Sequence, residues 1–147
     1  MAIRIGINGF GRIGRAVFRI MHSRREFEIA AISDLPPPEP LAHLLKYDTV
    51  MGRFGAEVKA REGALEVAGR AIQVTAEKSP ASLPWKELKA DVVIESTGIF
   101  RKRDEIAQHL TAGAKRVVLT VPAKDEIDAM IVLGVNDQAL KKEHRIV

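Results

Sequence analysis

Near the start of the chain Gly9-Phe10-Gly11-Arg12-Ile13-Gly14 forms a G-x-G-x-x-G spacing, and Asp34 follows Gly14 after twenty residues. In such a spacing the first glycine permits a tight turn. The second lets the backbone approach a pyrophosphate without a Cβ, and the third lets a helix pack closely on a strand. Free N–H groups around Arg12 and Ile13, with the positive end of the helix dipole, suit phosphate oxygens. A carboxylate at Asp34 accepts hydrogen bonds from ribose hydroxyls and repels a 2′-phosphate, which predicts NAD in preference to NADP. The competing readings are a strand-end cap for Asp34 and a purely structural turn for the glycines.

A second set lies further along, where Ser96-Thr97-Gly98 makes a small-residue turn directly after the apolar run Asp91 to Glu95. Open sheets bind ligands at such carboxyl strand edges. Phe100 just beyond it either packs against a purine face or belongs to the core, and Thr120, at the end of the next apolar run, is open to the same two readings.

Other chemistry is excluded by what the chain contains. Without cysteine it offers no disulfide, thiolate ligand or thiol nucleophile. His22, His43, His109 and His144 stand singly and none falls in a liganding array, so structural or surface roles are expected and no metal site. The net charge of +4 arises within residues 1–30, where six arginines (Arg4, Arg12, Arg15, Arg19, Arg24, Arg25) face Glu26 and Glu28, and the remainder balances at 17 against 17. That stretch suits an anionic partner or a solvated basic face. A basic nucleotide- or RNA-binding module without catalysis is the alternative of another class. One Trp, one Tyr and five Phe offer it little base-stacking surface, which argues against nucleic acid as the main partner.

The elements that must position these residues can be read from periodicity. Ile3, Ile5 and Ile7 alternate as a strand, and Ile13, Val17, Ile20 and Met21 follow at helical spacing, ending near Ser23 to Arg25. Phe27 to Ile32 suits a strand covered on both faces. Leu35 to Pro40 reads as a loop and Glu39 to Tyr47 as a short amphipathic helix. Residues 53–75 alternate loosely around turns at Glu62-Gly63 and Gly69-Arg70, as a small antiparallel insertion does. Asp91 to Glu95 and Arg116 to Val121 read as buried strands around a helix from Asp104 to Ala112 that closes at Gly113. Met130 to Leu133 and Arg145 to Val147 are expected to add strands, with a helix from Asp137 to Lys142 between them. This predicts an α/β fold over 1–147, a doubly wound and mostly parallel sheet of Rossmann type, as one dinucleotide-binding domain. No apolar run approaches the roughly 20 residues that span a bilayer, and no apolar signal core is present, so the cytoplasm is the expected compartment.

Taken together the residues resemble the phosphorylating glyceraldehyde-3-phosphate dehydrogenases. The matching words are Ile5-Gly-Ile-Asn-Gly-Phe-Gly-Arg-Ile-Gly-Arg15, His43-Leu-Leu-Lys-Tyr-Asp48, Gly52-Arg-Phe54, Leu83-Pro-Trp85, Glu95-Ser-Thr-Gly98 and Val121-Pro-Ala-Lys-Asp125, in family order. The resemblance implies an NAD site formed by Asn8, Gly9, Phe10, Gly11, Arg12, Ile13, Gly14, Asp34, Lys78, Ser96, Thr97, Gly98, Phe100 and Thr120. Within it the backbone of Arg12 and Ile13 meets the pyrophosphate, Asp34 the ribose, Lys78 and Phe100 the adenine, and Thr97 with Thr120 the nicotinamide side. Ser33, Arg101 and the triple proline Pro36 to Pro38 depart from the family's usual Asn, Thr and more polar loop.

It further implies a parent enzyme, a glycolytic homotetramer, in which a cysteine activated by a histidine attacks the aldehyde. NAD accepts the hydride, and inorganic phosphate releases 1,3-bisphosphoglycerate. In the family that cysteine and histidine belong to a catalytic domain absent from this chain, so the chain is expected to bind cofactor as a truncated domain without turnover. A sister enzyme oxidising erythrose 4-phosphate is the nearest alternative; Val121-Pro-Ala-Lys-Asp-Glu126 favours the glyceraldehyde enzyme.

Overall fold

The computed structural model describes residues 1–147. The run Ile3–Asn8, ended by Gly9, forms strand β1, and helix α1 follows over Arg12–His22. Strand β2 spans Phe27–Ser33 and helix α2 Pro38–Lys46; strands β3, β4 and β5 span Val58–Arg61, Ala64–Val67 and Arg70–Thr75. Strand β6 (Val92–Glu95), helix α3 (Arg103–Thr111) and strand β7 (Arg116–Leu119) complete the regular structure, apart from short 3₁₀ turns at Pro80–Ser82 and Asp137–Ala139.

All seven strands join one sheet in the order β3-β4-β5-β2-β1-β6-β7. β5, β2, β1, β6 and β7 run parallel, and β3 and β4 form the antiparallel insertion at one edge. Side-chain alternation assigns the faces. Ile5, Ile7, Ile32 and Ile94 pack with Phe18 of α1 and with Leu41 and Leu45 of α2 on one face. Ala31 and Val93 meet Leu83, Trp85 and Ala114 on the other, and Ile106 of α3 meets Val117 beside them. The sheet is thus covered on both sides, as in a Rossmann-type domain. Gly6 is required here because a Cβ would lie 2.6 Å from the Trp85 ring.

Some expected boundaries shift. α2 begins at Pro38, so Pro38 and Pro40 fall in its first turn, where a missing N–H costs nothing. β7 ends at Leu119, two residues short of Val121. Met130 to Leu133 is not a strand: the Asn136 side chain accepts from the Val132 N–H at 2.6 Å and donates to the Met130 carbonyl at 2.9 Å, meeting those backbone groups locally. The expected helix from Asp137 to Lys142 shrinks to one 3₁₀ turn, and Arg145 to Val147 supplies a single parallel bridge, Ile146 to Val117. No helix is long and apolar enough to cross a membrane.

Candidate functional site

The chain leaves β1 toward α1 and β2 on one side, whereas β6 lies on β1's other side, so the loops after β1 and β6 part at the carboxyl edge of the sheet. A cleft of about 270 Å³ opens there, between the segments that follow β1, β2, β5 and β6. This is the switch point where open α/β sheets take ligands.

The first wall is the glycine turn. Gly9 has φ +89°, and a Cβ on it would lie 2.6 Å from the Thr97 nitrogen, so the β1 and β6 loops touch only because this residue is glycine. A Cβ on Gly14 would lie 2.2 Å from the Gly9 carbonyl oxygen, which seats α1 hard against the turn. Gly11 differs: a Cβ there would meet no protein atom within 4 Å, and the residue lines the cleft. Helix hydrogen bonding begins with the Arg15 N–H to the Gly11 carbonyl at 3.0 Å, and the N–H groups of Gly11, Arg12 and Ile13 have no protein partner. Open space over unpaired donors at a helix start fits a pyrophosphate. The Ser96 hydroxyl donates to the Gly9 carbonyl at 2.6 Å, and the Arg15 guanidinium to the Phe10 carbonyl at 3.0 Å, fixing the turn from both sides.

The second wall is the end of β2. Asp34 accepts from the Phe10 N–H at 2.6 Å and from the Leu35 N–H at 2.8 Å. The strand-end cap and the cleft carboxylate are therefore one side chain, because each carboxylate oxygen keeps a further lone pair for a ligand hydroxyl. Ser33, Leu35 and Glu77 line the same end, beside Lys78. None of these three was singled out as lining from the sequence; their place next to Asp34 and Lys78 was the available signal.

Of the expected residues, Asn8, Gly9, Gly11, Asp34, Lys78, Ser96, Thr97 and Phe100 come together in the cleft. Phe10 does not present its side chain there: it is buried edge-to-face on Phe18 at 5.6 Å, in the core beneath the turn. Arg12 points instead to Asp48 at 3.3 Å, the Ile13 side chain is half exposed, and neither residue is part of the lining. Gly98 and Thr120 lie outside the lining; the Thr120 hydroxyl donates to the Glu95 carbonyl at 3.2 Å and its residue borders a neighbouring apolar groove.

Charge around α1 is mostly spoken for. Arg4 pairs with Glu28, and Arg19 donates to the carbonyls of Leu45 and Gly52. Asp48 is held below the usual carboxylate range, first by the N–H groups of Met51 and Val50 and then by Arg12 and Arg19. Burial lowers Arg15 from its ordinary value, and Asp48 opposes that shift. Of the basic opening stretch, Arg12 and Arg19 thus brace the loop 45–52, while Arg4 and Arg15 are tied to Glu28 and the Phe10 carbonyl.

Comparison with known proteins agrees with this geometry. The family described as glyceraldehyde 3-phosphate dehydrogenase, NAD binding domain, matches residues 3–103. A glyceraldehyde-3-phosphate dehydrogenase of Thermotoga maritima is 51% identical over 98% of this chain and 44% of its own length. One from Geobacillus stearothermophilus is 50% identical over 100% and 44%, and a cytosolic one from Trypanosoma brucei brucei is 50% identical over 97% and 43%. The chain therefore spans less than half the length of these relatives. With that match over most of its residues, the chain belongs to the glyceraldehyde-3-phosphate dehydrogenase family, as its NAD-binding domain.

Proposed function

We propose that the cleft at the β1–β6 switch point holds NAD with its pyrophosphate over Gly11 and the unpaired N–H groups of Arg12 and Ile13. The observation that supports this most is the combination at Gly11: free donors, and room that no protein atom fills. The adenosine end lies toward Asp34, Lys78 and Phe100, and the nicotinamide end toward Thr97 and Thr120. Asp34 receives a ribose hydroxyl while Phe10 and Leu35 hold its carboxylate still. Because the turn is already braced by Ser96 and Arg15, little ordering remains to be done on binding.

The whole protein that carries this domain oxidises glyceraldehyde 3-phosphate with inorganic phosphate to 1,3-bisphosphoglycerate, as a cytoplasmic homotetramer. Bound NAD supplies a hydride acceptor. This chain supplies the acceptor's pocket and no thiol nucleophile. The test is an assay for NADH formation. The chain alone forms none, whereas the whole protein forms it with phosphate present and prefers glyceraldehyde 3-phosphate to erythrose 4-phosphate. Preference for the four-carbon sugar would reassign the substrate, and turnover by the chain alone would overturn the division of labour.

A further inference from the structure

At the end of β6 the Glu95 carboxylate is wholly buried, with no lysine or arginine beside it. Such a group is costly to remove from water unless donors surround it. Four do. The Asn8 amide donates to Oε2 at 2.6 Å and His109 Nε2 reaches the same oxygen at 2.8 Å; the Thr97 N–H donates to Oε1 at 2.9 Å and the Thr97 hydroxyl donates there too. Behind His109, the Trp85 indole N–H donates to Nδ1 at 3.0 Å. An indole can only donate, so Nδ1 must be the bare nitrogen and Nε2 the protonated one, which leaves His109 a neutral imidazole locked in one tautomer.

An apolar residue would end β6 without that desolvation cost, so the carboxylate is explained by what it orients. Asn8 and Thr97 both line the cleft. With one N–H of its amide turned to Glu95, Asn8 keeps Oδ1 for the cleft, and that oxygen is neither paired nor enclosed. Thr97 spends both donors on Glu95, and its Oγ1 accepts from the Ile99 N–H at 3.1 Å, which fixes the turn beneath it.

We propose that Glu95 is the positioning residue of the cofactor cleft: it turns the Asn8 amide so that an acceptor, suited to a ligand hydroxyl, faces the cofactor, and His109 with Trp85 holds Glu95 in place. The inference rests on the cofactor reading above. Glu95→Met fills nearly the same volume but offers no carboxylate oxygen, so Asn8 and His109 both lose their acceptor and the Asn8 amide is released. His109→Gln can accept from Trp85 and donate to Glu95, as the neutral imidazole does, whereas His109→Leu can do neither.

The experiment follows two signals in the full chain: solvent exchange of the Asn8 side-chain amide protons by NMR, and the Kd for NAD by calorimetry. In the unsubstituted chain the Asn8 proton facing Glu95 exchanges slowly. Glu95→Met and His109→Leu lose about tenfold in that protection and about tenfold in NAD affinity, while His109→Gln stays within about twofold on both. The indole resonance of Trp85, the chain's one tryptophan, moves in His109→Leu and not in His109→Gln. Folded Glu95→Met with undiminished Asn8 protection or an unchanged Kd overturns the proposal. Should Glu95→Met not fold, the two His109 variants decide, and equal behaviour of Gln and Leu overturns it. If the unsubstituted chain binds no NAD while Asn8 protection still depends on Glu95, the cofactor reading fails and the orientation stands.

Discussion

At the scale of single residues, the glycines of the turn have different jobs and should fail differently. Gly9→Ala must place a Cβ 2.6 Å from the Thr97 nitrogen at φ +89°, so it costs about 2 kcal/mol or more in denaturant unfolding and loses NAD binding with it. Gly11→Ala meets nothing and keeps an ordinary φ of −72°. Its stability stays within about 0.5 kcal/mol while NAD affinity falls about tenfold; unchanged affinity would move the pyrophosphate elsewhere. Asp34→Asn turns an NH₂ group toward one of the N–H groups of Phe10 and Leu35, costing about 1–2 kcal/mol, and it removes the charge that repels a 2′-phosphate. The ratio of NADP to NAD affinity should rise about tenfold, and a constant ratio would relieve Asp34 of that role. Single residues were only partly legible. The glycine spacing announces a turn from local sequence alone. By contrast His109 finds its partners 14 residues away at Glu95 and 24 away at Trp85, so the buried group could not be told from a surface histidine. Phe10 sits inside a ligand motif, yet the packing of α1 claims its ring.

At the scale of elements, the free side of β7 is closed by a clasp remote from the cleft. Asp128 accepts from the N–H groups of Arg145 at 2.7 Å and Ile146 at 3.0 Å and pairs with Arg103 at the start of α3. The Arg145 N–H first, then the Arg103 side chain, hold its carboxyl at about 2, below the ordinary 3.8. A depressed carboxyl contributes fully above its unfolded value and loses that contribution as pH falls through the folded one. The bridge from Ile146 to Val117 should therefore loosen between about pH 4 and pH 2. The Val117 amide, bonded to the Arg145 carbonyl at 2.7 Å, reports it by chemical shift, and Asp128→Asn should show the acid-state shift at neutral pH. A Val117 shift that ignores both pH and the substitution would remove Asp128 from this role. The clasp also explains why the tail was poorly legible. Arg145 to Val147 has the apolar character of a strand, but its backbone is held by one carboxylate and a single bridge, and Asn136 satisfies the segment before it.

At the scale of the whole molecule, strand and helix alternate around the antiparallel insertion in a pattern that periodicity reveals, since β1, β2 and β6 carry runs of buried residues and the helices α1 and α2 are amphipathic. The order of strands is less accessible, because nothing in the local sequence states that β6 returns to β1 and not to β5; the right-handed crossover rule narrows the choice, and packing on Trp85 settles it. That return creates the switch point, and with it the cleft that unites residues from four separate loops. The basic opening stretch, suggestive of an anionic surface, is largely internal bracing once folded. On the reading proposed above, this domain by itself presents a formed NAD cleft whose Asp34 end excludes a 2′-phosphate. Calorimetric titration of the folded chain with NAD and with NADP is the decisive measurement: saturable binding of one NAD per chain, with NADP weaker by about tenfold or more, is expected, and a folded chain that binds neither, or both equally, would refute it.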